Sequence, residues 1–186
     1  MGVTRLYKAI FEITRAVNSS LEPEKVLHNI AEKVATEMEL KGCFIRLLDR
    51  KGEVLEADAS YGLSERYEKK GPVEVSKSRL DQEVLEGKIV SIADVRKDDR
   101  FQYPEEAAKE GLCSLVVLPL TARGEKVIGV LRVYSAEQRE FSEEELDFLK
   151  CVADLSGLAL ENARMYSALK RASELANDYI YRVDDL

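Results

Sequence analysis

The sequence predicts a mixed α/β (α+β) domain, and three observations carry the prediction. Apolar residues recur at helical spacing near both chain ends, runs of strand character separated by short turns fill the middle, and the closing helix is apolar on more sides than one sheet covers. The clearest stretch runs from Leu112 to Tyr166. Ser114 to Leu120 reads as a buried strand, Arg123-Gly124-Glu125 as a tight turn, and Val127 to Tyr134 as a second strand; a long helix then opens at Phe141-Ser142.

Taken from the N-terminus, Leu6, Ile10, Ile13 and Val17 share one helical stripe, and Tyr7 and Phe11 add a second. Asn18-Ser19-Ser20 breaks that pattern. Pro23 suits the first turn of the next helix, where its missing N–H costs nothing. That helix carries Leu27, Ile30, Ala31, Val34 and Met38 and stops near Lys41-Gly42, with Gly42 suited to a left-handed cap. Cys43 to Asp49 is a short apolar run, Arg50-Lys51-Gly52 a turn, and Glu53 to Ser60 a strand, which together predict a hairpin. Leu63 to Val75 is polar and irregular. Ser78-Arg79-Leu80-Asp81 has capping-box spacing with Asp in place of Glu or Gln, so a short helix opens there and closes at Gly87. Ile89 to Ile92 reads as a strand, and Asp94 to Gly111 as a charged loop with a helical turn near Pro104 to Glu110.

The closing helix has the strongest start. Ser142 is placed to cap it, Glu145 falls at the third helical position, and Phe141 and Leu146 have the spacing of a hydrophobic staple. Glutamates at 143, 144 and 145 favour the positive end of the helix dipole. Leu149, Val152, Ser156, Leu160 and Ala163 can face a sheet. Phe148, Leu155, Leu158, Asn162 and Met165 lie on another side, and an apolar second side must also be buried. With Tyr7 and Phe11 they form the expected dimer interface, parallel or antiparallel, with a second copy of the chain. The apolar stripe thins after Ala168, so residues 1–169 are expected to form the domain and 170–186 a helical tail or linker.

Composition excludes several functions. The 186 residues are 45% hydrophobic and 34% charged, enough for a sizeable core, and the net charge is −7 with no basic stripe. Neither a nucleic acid nor an anionic membrane surface suits that charge. No apolar run approaches the roughly 18 residues of a spanning helix. The N-terminal apolar run contains charges, unlike a signal peptide. The expected compartment is the cytoplasm. Cys43, Cys113 and Cys151 are odd in number, widely spaced and without a CxxC pair, and His28 is the only histidine. A Cys/His zinc site and a histidine-based triad are therefore not expected.

In order and spacing, SSLEPEKVLHNIAEKV, FIRLLD, ASYGL, VLEGKIVSIADVRKDDRF, GLCSLVVLPL, GEKVIGVLRVY and FSEEELDFLKCVADLSGLALENARMY resemble the GAF family of small-molecule sensor domains. The resemblance implies a central antiparallel sheet of five or six strands, with helices from both chain ends on one face. Short helices and loops of the middle segment would enclose a ligand pocket on the other. It implies a non-catalytic regulatory module of a bacterial or archaeal signalling system, possessing an output domain or a downstream signalling protein as partner. It names no cofactor. At the places where cyclic-nucleotide-binding members carry their motif, this chain reads Tyr134-Ser135-Ala136, Phe141 and Glu145-Leu146, and only Phe141 fits. No histidine stands beside Cys113 for a bilin, and His28 is on the wrong side for a haem.

The expected ligand-binding residues are Phe44, Arg46, Asp94, Phe101, Tyr103, Leu112, Cys113, Ser114 and Arg132. Arg46 and Arg132 are lone charges in apolar strands that would be neighbours, and a buried arginine needs a partner. Two readings are open. They form a pair of forks for a carboxylate or phosphate, or Glu56 or Asp58 satisfies Arg46 and Arg132 lies near Asp58 or in solvent. Asp94, Phe101 and Tyr103 belong to a segment that can act as a lid with stacking aromatics. Asp94, Asp98 and Asp99 with Cys113 would be the alternative as a metal site, although solvated or capping carboxylates are the simpler reading. Cys113 could serve a redox or free methionine sulfoxide-reducing enzyme, which needs a resolving cysteine nearby. A ligand-free dimerisation scaffold is the third possibility.

Overall fold

Helical periods at the N-terminus become α1 (Val3–Ser19) and α2 (Pro23–Glu37) in the computed structural model, which describes residues 3–19, 22–122 and 126–184. Leu6, Ala9, Ile13 and Val17 of α1 are buried, while Tyr7 and Phe11 are 69% and 64% exposed. The expected left-handed cap at Gly42 is not found. Glu39 takes the left-handed conformation after α2, and Gly42 instead opens the first strand, β1 (Gly42–Leu48). A Cβ on Gly42 would lie 2.7 Å from the Leu63 side chain and 2.8 Å from the Tyr61 carbonyl oxygen. A close crossing of the chain, and not a helix end, requires glycine there.

The remaining strands are β2 (Val54–Tyr61), β3 (Val73–Glu74), β4 (Val90–Ile92), β5 (Ser114–Thr121) and β6 (Val127–Ser135). They form one curled antiparallel sheet in the order β3-β2-β1-β6-β5-β4. Both expected hairpins are present, and they join through β1 and β6, where Phe44 stands opposite Arg132 and Arg46 opposite Val130. The turn read at Arg123-Gly124-Glu125 lies outside the described residues.

The segment from Leu63 to Val75 is more ordered than its polarity suggests. It contains α3 (Glu65–Glu68), capped by the Ser64 hydroxyl, and the edge strand β3. Its elements are too short to show a period. A 3₁₀ turn follows at Val75–Lys77, then α4 (Arg79–Leu85) with Ser78 as cap, and later α5 (Pro104–Glu110). The expected cap at Ser78 is bent to a further use: the Ser78 hydroxyl also donates to the Asp81 carboxylate at 2.6 Å.

Strand alternation divides the interior into two cores. On one face Ile45, Leu118, Leu131 and Val133 pack against α1, α2 and the closing helix α6 (Glu143–Asp184). On the other, Phe44, Leu55, Leu115, Val117, Val130 and Tyr134 pack against the middle segment. α6 opens with the expected capping box: Glu145 N–H donates to the Ser142 hydroxyl at 3.3 Å, and Ser142 N–H donates to the Glu145 carboxylate at 3.0 Å. Leu149, Val152, Ser156, Leu160 and Ala163 are buried against the sheet layer. The helix continues without a break as far as Asp184, and its 42 residues span about 63 Å. Side chains from Arg164 to Leu175 are exposed.

α6 approaches β5 at Gly157, where a Cβ would stand 2.1 Å from the Thr121 carbonyl oxygen. Backbone cannot yield as a side-chain tip does. Gly157→Ala is therefore expected to destabilise the domain by about 2 kcal/mol despite alanine's better helix propensity, measurable by urea unfolding; an unchanged midpoint would contradict this packing.

Candidate functional site

The face of the sheet opposite the terminal helices carries an unusual concentration of buried positive charge. Arg46 on β1 and Arg132 on β6 are 0% and 2% exposed, among otherwise apolar strand neighbours. They point to this face because Phe44, Arg46, Arg132 and Tyr134 alternate with residues of the helix-side core. The Arg46 guanidinium lies 4.3 Å from the centre of the Phe44 ring. It donates to two backbone carbonyls, Leu55 at 3.1 Å and Gly71 at 3.4 Å, while its Nε and remaining terminal nitrogen have no hydrogen-bond partner among the described residues. Glu56 and Asp58, the carboxylates expected to satisfy it, are exposed. The residue opposite Arg46 is Ala57, so Glu56 lies on the other face by strand alternation; a register irregularity follows at Ile45/Arg46.

Arg132 has the partner that sequence reasoning missed. Its terminal nitrogen pairs with both carboxylate oxygens of Asp81 on α4, and Asp81 is 0% exposed. Burial works against the Arg132 charge, and Asp81 outweighs it to raise its pKa. Arg46 has no such counter-charge. Burial and then the neighbouring Arg132 push its pKa down.

Lys70 completes the cluster from the loop after α3. Its Nζ is buried without a hydrogen-bond partner, 3.1 Å from the centre of the Tyr67 ring, with the Tyr103 ring at 5.4 Å and the Phe44 ring at 5.9 Å. Burial, then Arg132 and Arg46, pull its pKa down to about 6, so the amine is largely neutral at pH 7. The hydroxyls of Tyr67 and Tyr134 are also buried without hydrogen-bond partners. Their rings meet edge to face at 5.9 Å. Tyr67 and Tyr134 interact with each other and with Arg132, yet their hydroxyls fall short of hydrogen-bond geometry. Burial pushes the Tyr67 phenol well above its usual range, so it remains a donor.

Of the sequence-predicted ligand residues, Phe44, Arg46, Phe101, Tyr103, Leu112 and Arg132 border this core. Tyr103 also donates its hydroxyl to the Pro72 carbonyl at 2.8 Å, tying the lid segment to the loop beside Lys70. Asp94, Cys113 and Ser114 are engaged elsewhere. Asp94 accepts from Arg96 at 2.7 and 2.8 Å and pairs with Lys97 at 3.2 Å, and these cations, Arg96 foremost, hold its carboxyl below the usual range. The Ser114 hydroxyl lies within hydrogen-bond distance of the Ala93 and Glu137 carbonyls, to one of which it donates, and accepts from Arg139 N–H, fastening neighbouring loops. The Cys113 sulfur sits 3.6 Å from an Arg96 nitrogen. Asp98 and Asp99, the other carboxylates of the metal alternative, pair with Arg100 and Arg79. Cys43, one candidate resolving thiol, is packed in the core on the helix side, where burial raises its pKa.

A concavity of about 580 Å³ lies elsewhere, between α1, the end of α2 and the start of α6. There Arg5 pairs with Glu37 and Glu39, and Arg139 with Glu145. It offers no unmet buried group comparable to those around Arg46.

Of the expected dimer residues, Tyr7, Phe11, Leu158 (42% exposed) and Met165 (46%) face outward. Leu155 and Asn162 are half-buried. Phe148 is 3% exposed and belongs to the helix-side core of its own chain, because the start of α6 packs on α1. Tyr166 and Leu169 extend the outward patch.

A family model described as "GAF domain" matches residues 20–161. The methyl sulfide methyltransferase-associated sensor of Methanosarcina acetivorans is 31% identical over 147 residues, covering 77% of this chain and 15% of that protein. The formate hydrogenlyase transcriptional activator FhlA of Escherichia coli is 22% identical over 173 residues, covering 90% of this chain and 25% of that protein. The chain thus spans a quarter or less of these relatives. Among solved structures, the GAF domain of a phosphoenolpyruvate-protein phosphotransferase from Coxiella burnetii superposes with a TM-score of 0.80 at 19% identity, covering 90% of this chain and 99% of that one.

Proposed function

The chain belongs to the GAF domain family, whose relatives here include a sensor and a transcriptional activator, and from that premise we propose that it is a non-catalytic regulatory sensor domain. It binds a small molecule on the middle-segment face of the sheet and signals through terminal helices packed against a second copy. The observation that carries this reading is the group of buried donors without partners at Arg46, Arg132, Lys70, Tyr67 and Tyr134. Leaving a buried polar group unpaired costs about 1–3 kcal/mol, more when it is charged. A domain that bears several of these on one face gains by binding a molecule that satisfies them.

The response runs from that face to α6. A bound molecule draws the lid segment around Tyr103 and α4 onto the sheet, and β5 and β6 carry the shift to the helix packed on their other side. Residues 1–169 act as the sensor and 170–186 as a helical linker toward an output domain or signalling partner, in the cytoplasm. Tyr7, Phe11, Leu158, Met165 and Leu169 supply the contact with the second copy, being too large an apolar surface for α1 and α6 to leave in water.

Two measurements test this. Native mass spectrometry of gently purified protein is expected to find a small molecule travelling with the chain. Light scattering is expected to give a dimer for the wild type and a monomer for Tyr7→Glu/Phe11→Glu; a wild-type monomer at high micromolar concentration would remove the dimer.

A further inference from the structure

Resting on the sensor reading above, we propose that the ligand is a small organic dianion, its carboxylate or phosphate groups held by Arg46, Arg132 and Lys70 with the Tyr67 and Tyr134 hydroxyls, and that it binds together with a proton taken up by Lys70. Charge and geometry carry the argument. Arg46 and Arg132 cannot shed their protons. Asp81 offsets one of them, through its pairing with Arg132. The cluster therefore keeps one positive charge when Lys70 is neutral and two when it is an ammonium. The hydrogen bonds of Arg46 among the described residues go to the neutral carbonyls of Leu55 and Gly71, its ring neighbour is Phe44, and two of its nitrogens remain free to donate. An anion meets both the unpaired donors and the uncompensated charge, whereas a neutral acceptor meets only the donors. Around these donors, Phe44, Tyr67 and Tyr103 supply apolar walls for a carbon skeleton.

The groups acting on Lys70 come from every element packed around it. Arg46 of β1 and Arg132 of β6 repel its charge, while Glu106 and Glu110 of α5 favour it more weakly. Tyr67 of α3 and Tyr103 from the loop before α5 present ring faces. Glu110 is also drawn away, accepting from Ser64 N–H at 2.7 Å and lying 3.9 Å from Arg66. A dianion outweighs the repulsion from the two arginines, so the neutral amine gains a proton as the complex forms. The balance is one proton from solvent to Lys70 Nζ, with no covalent bond made or broken.

The test is isothermal titration of the full chain, freed of copurified molecules, at pH 7.5. Malonate, succinate and inorganic phosphate are the probes, with neutral malonamide as control. Malonate runs are repeated in buffers of different ionisation enthalpy. We expect at least one dianion to bind, malonate or succinate if the carboxylate is the true head group and phosphate otherwise. A bound dicarboxylate should take up about one proton in the wild type and none in Lys70→Met. Affinity should fall at least tenfold in both Lys70→Met and Arg46→Gln, two changes that remove an unpaired donor and leave the Asp81–Arg132 pair intact. Absence of dianion binding, equal binding of malonamide, or binding indifferent to both substitutions would overturn the inference. A neutral molecule found on the protein by mass spectrometry would overturn the dianion alone and leave the sensor reading standing.

Discussion

Lys70→Met should make the unliganded domain more stable at neutral pH and flatten its dependence on pH. The folded state holds the Lys70 pKa near 6, against an ordinary value of 10.5. Between those values the unfolded chain carries a proton that the folded chain lacks. Stability of the wild type therefore rises with pH through this window, by at most about 1.4 kcal/mol per pH unit. Below about pH 6 the ammonium is charged inside the fold and its full cost is present. Methionine keeps an unbranched apolar side chain beside the Tyr67 ring and removes the titration. Allowing for the partial exposure of the side chain, the variant should gain about 2 kcal/mol at pH 7, and the gap to wild type should close as pH rises toward 10. Urea unfolding across pH 6 to 10 measures it, and parallel curves for the two proteins would refute the buried amine.

Asp81→Leu should have the largest effect in the opposite direction. It leaves Arg132 buried and without its counter-charge, a loss of about 3–5 kcal/mol by comparison with other broken buried pairs. Arg132→Met added to Asp81→Leu should recover most of that loss, because the penalty lies in the orphaned charge and not in missing attraction. The recovery is the informative half of the experiment. If the double variant is as unstable as the single one, Asp81 matters for capping α4 through Ser78, and the ion pair contributes little.

Much of the architecture could be read from the residues because it depends on repeating patterns. The stripe Leu149, Val152, Ser156, Leu160, Ala163 puts α6 against the sheet, and the capping box at Ser142 and Glu145 sets where it starts. Arg46 and Arg132 stood out as lone charges in apolar strands, and their shared face follows from pairing β1 with β6. What completes the site did not stand out, since its parts meet only in three dimensions. Asp81 looked like a helix-capping partner of Ser78, and its carboxylate does accept from the Ser78 hydroxyl, yet it also pairs with Arg132 on a strand 51 positions away. Tyr67 and Lys70 come from a stretch too short and too polar to show a period. Tyr134 was read only as the end of a strand, and the expected partners Glu56 and Asp58 are exposed. Asp94 was set apart as a ligand residue by its loop, but Arg96 and Lys97 occupy it locally.

Hydrogen exchange over residues 145–170 tests the connection between the two faces most directly. With a molecule bound at the Arg46–Lys70 cluster, amides along α6 should slow, and Arg46→Gln at the same concentration should abolish the change. Identical exchange in this helix with the cluster filled and empty would contradict the account, since a sensor must alter the surface through which it reports.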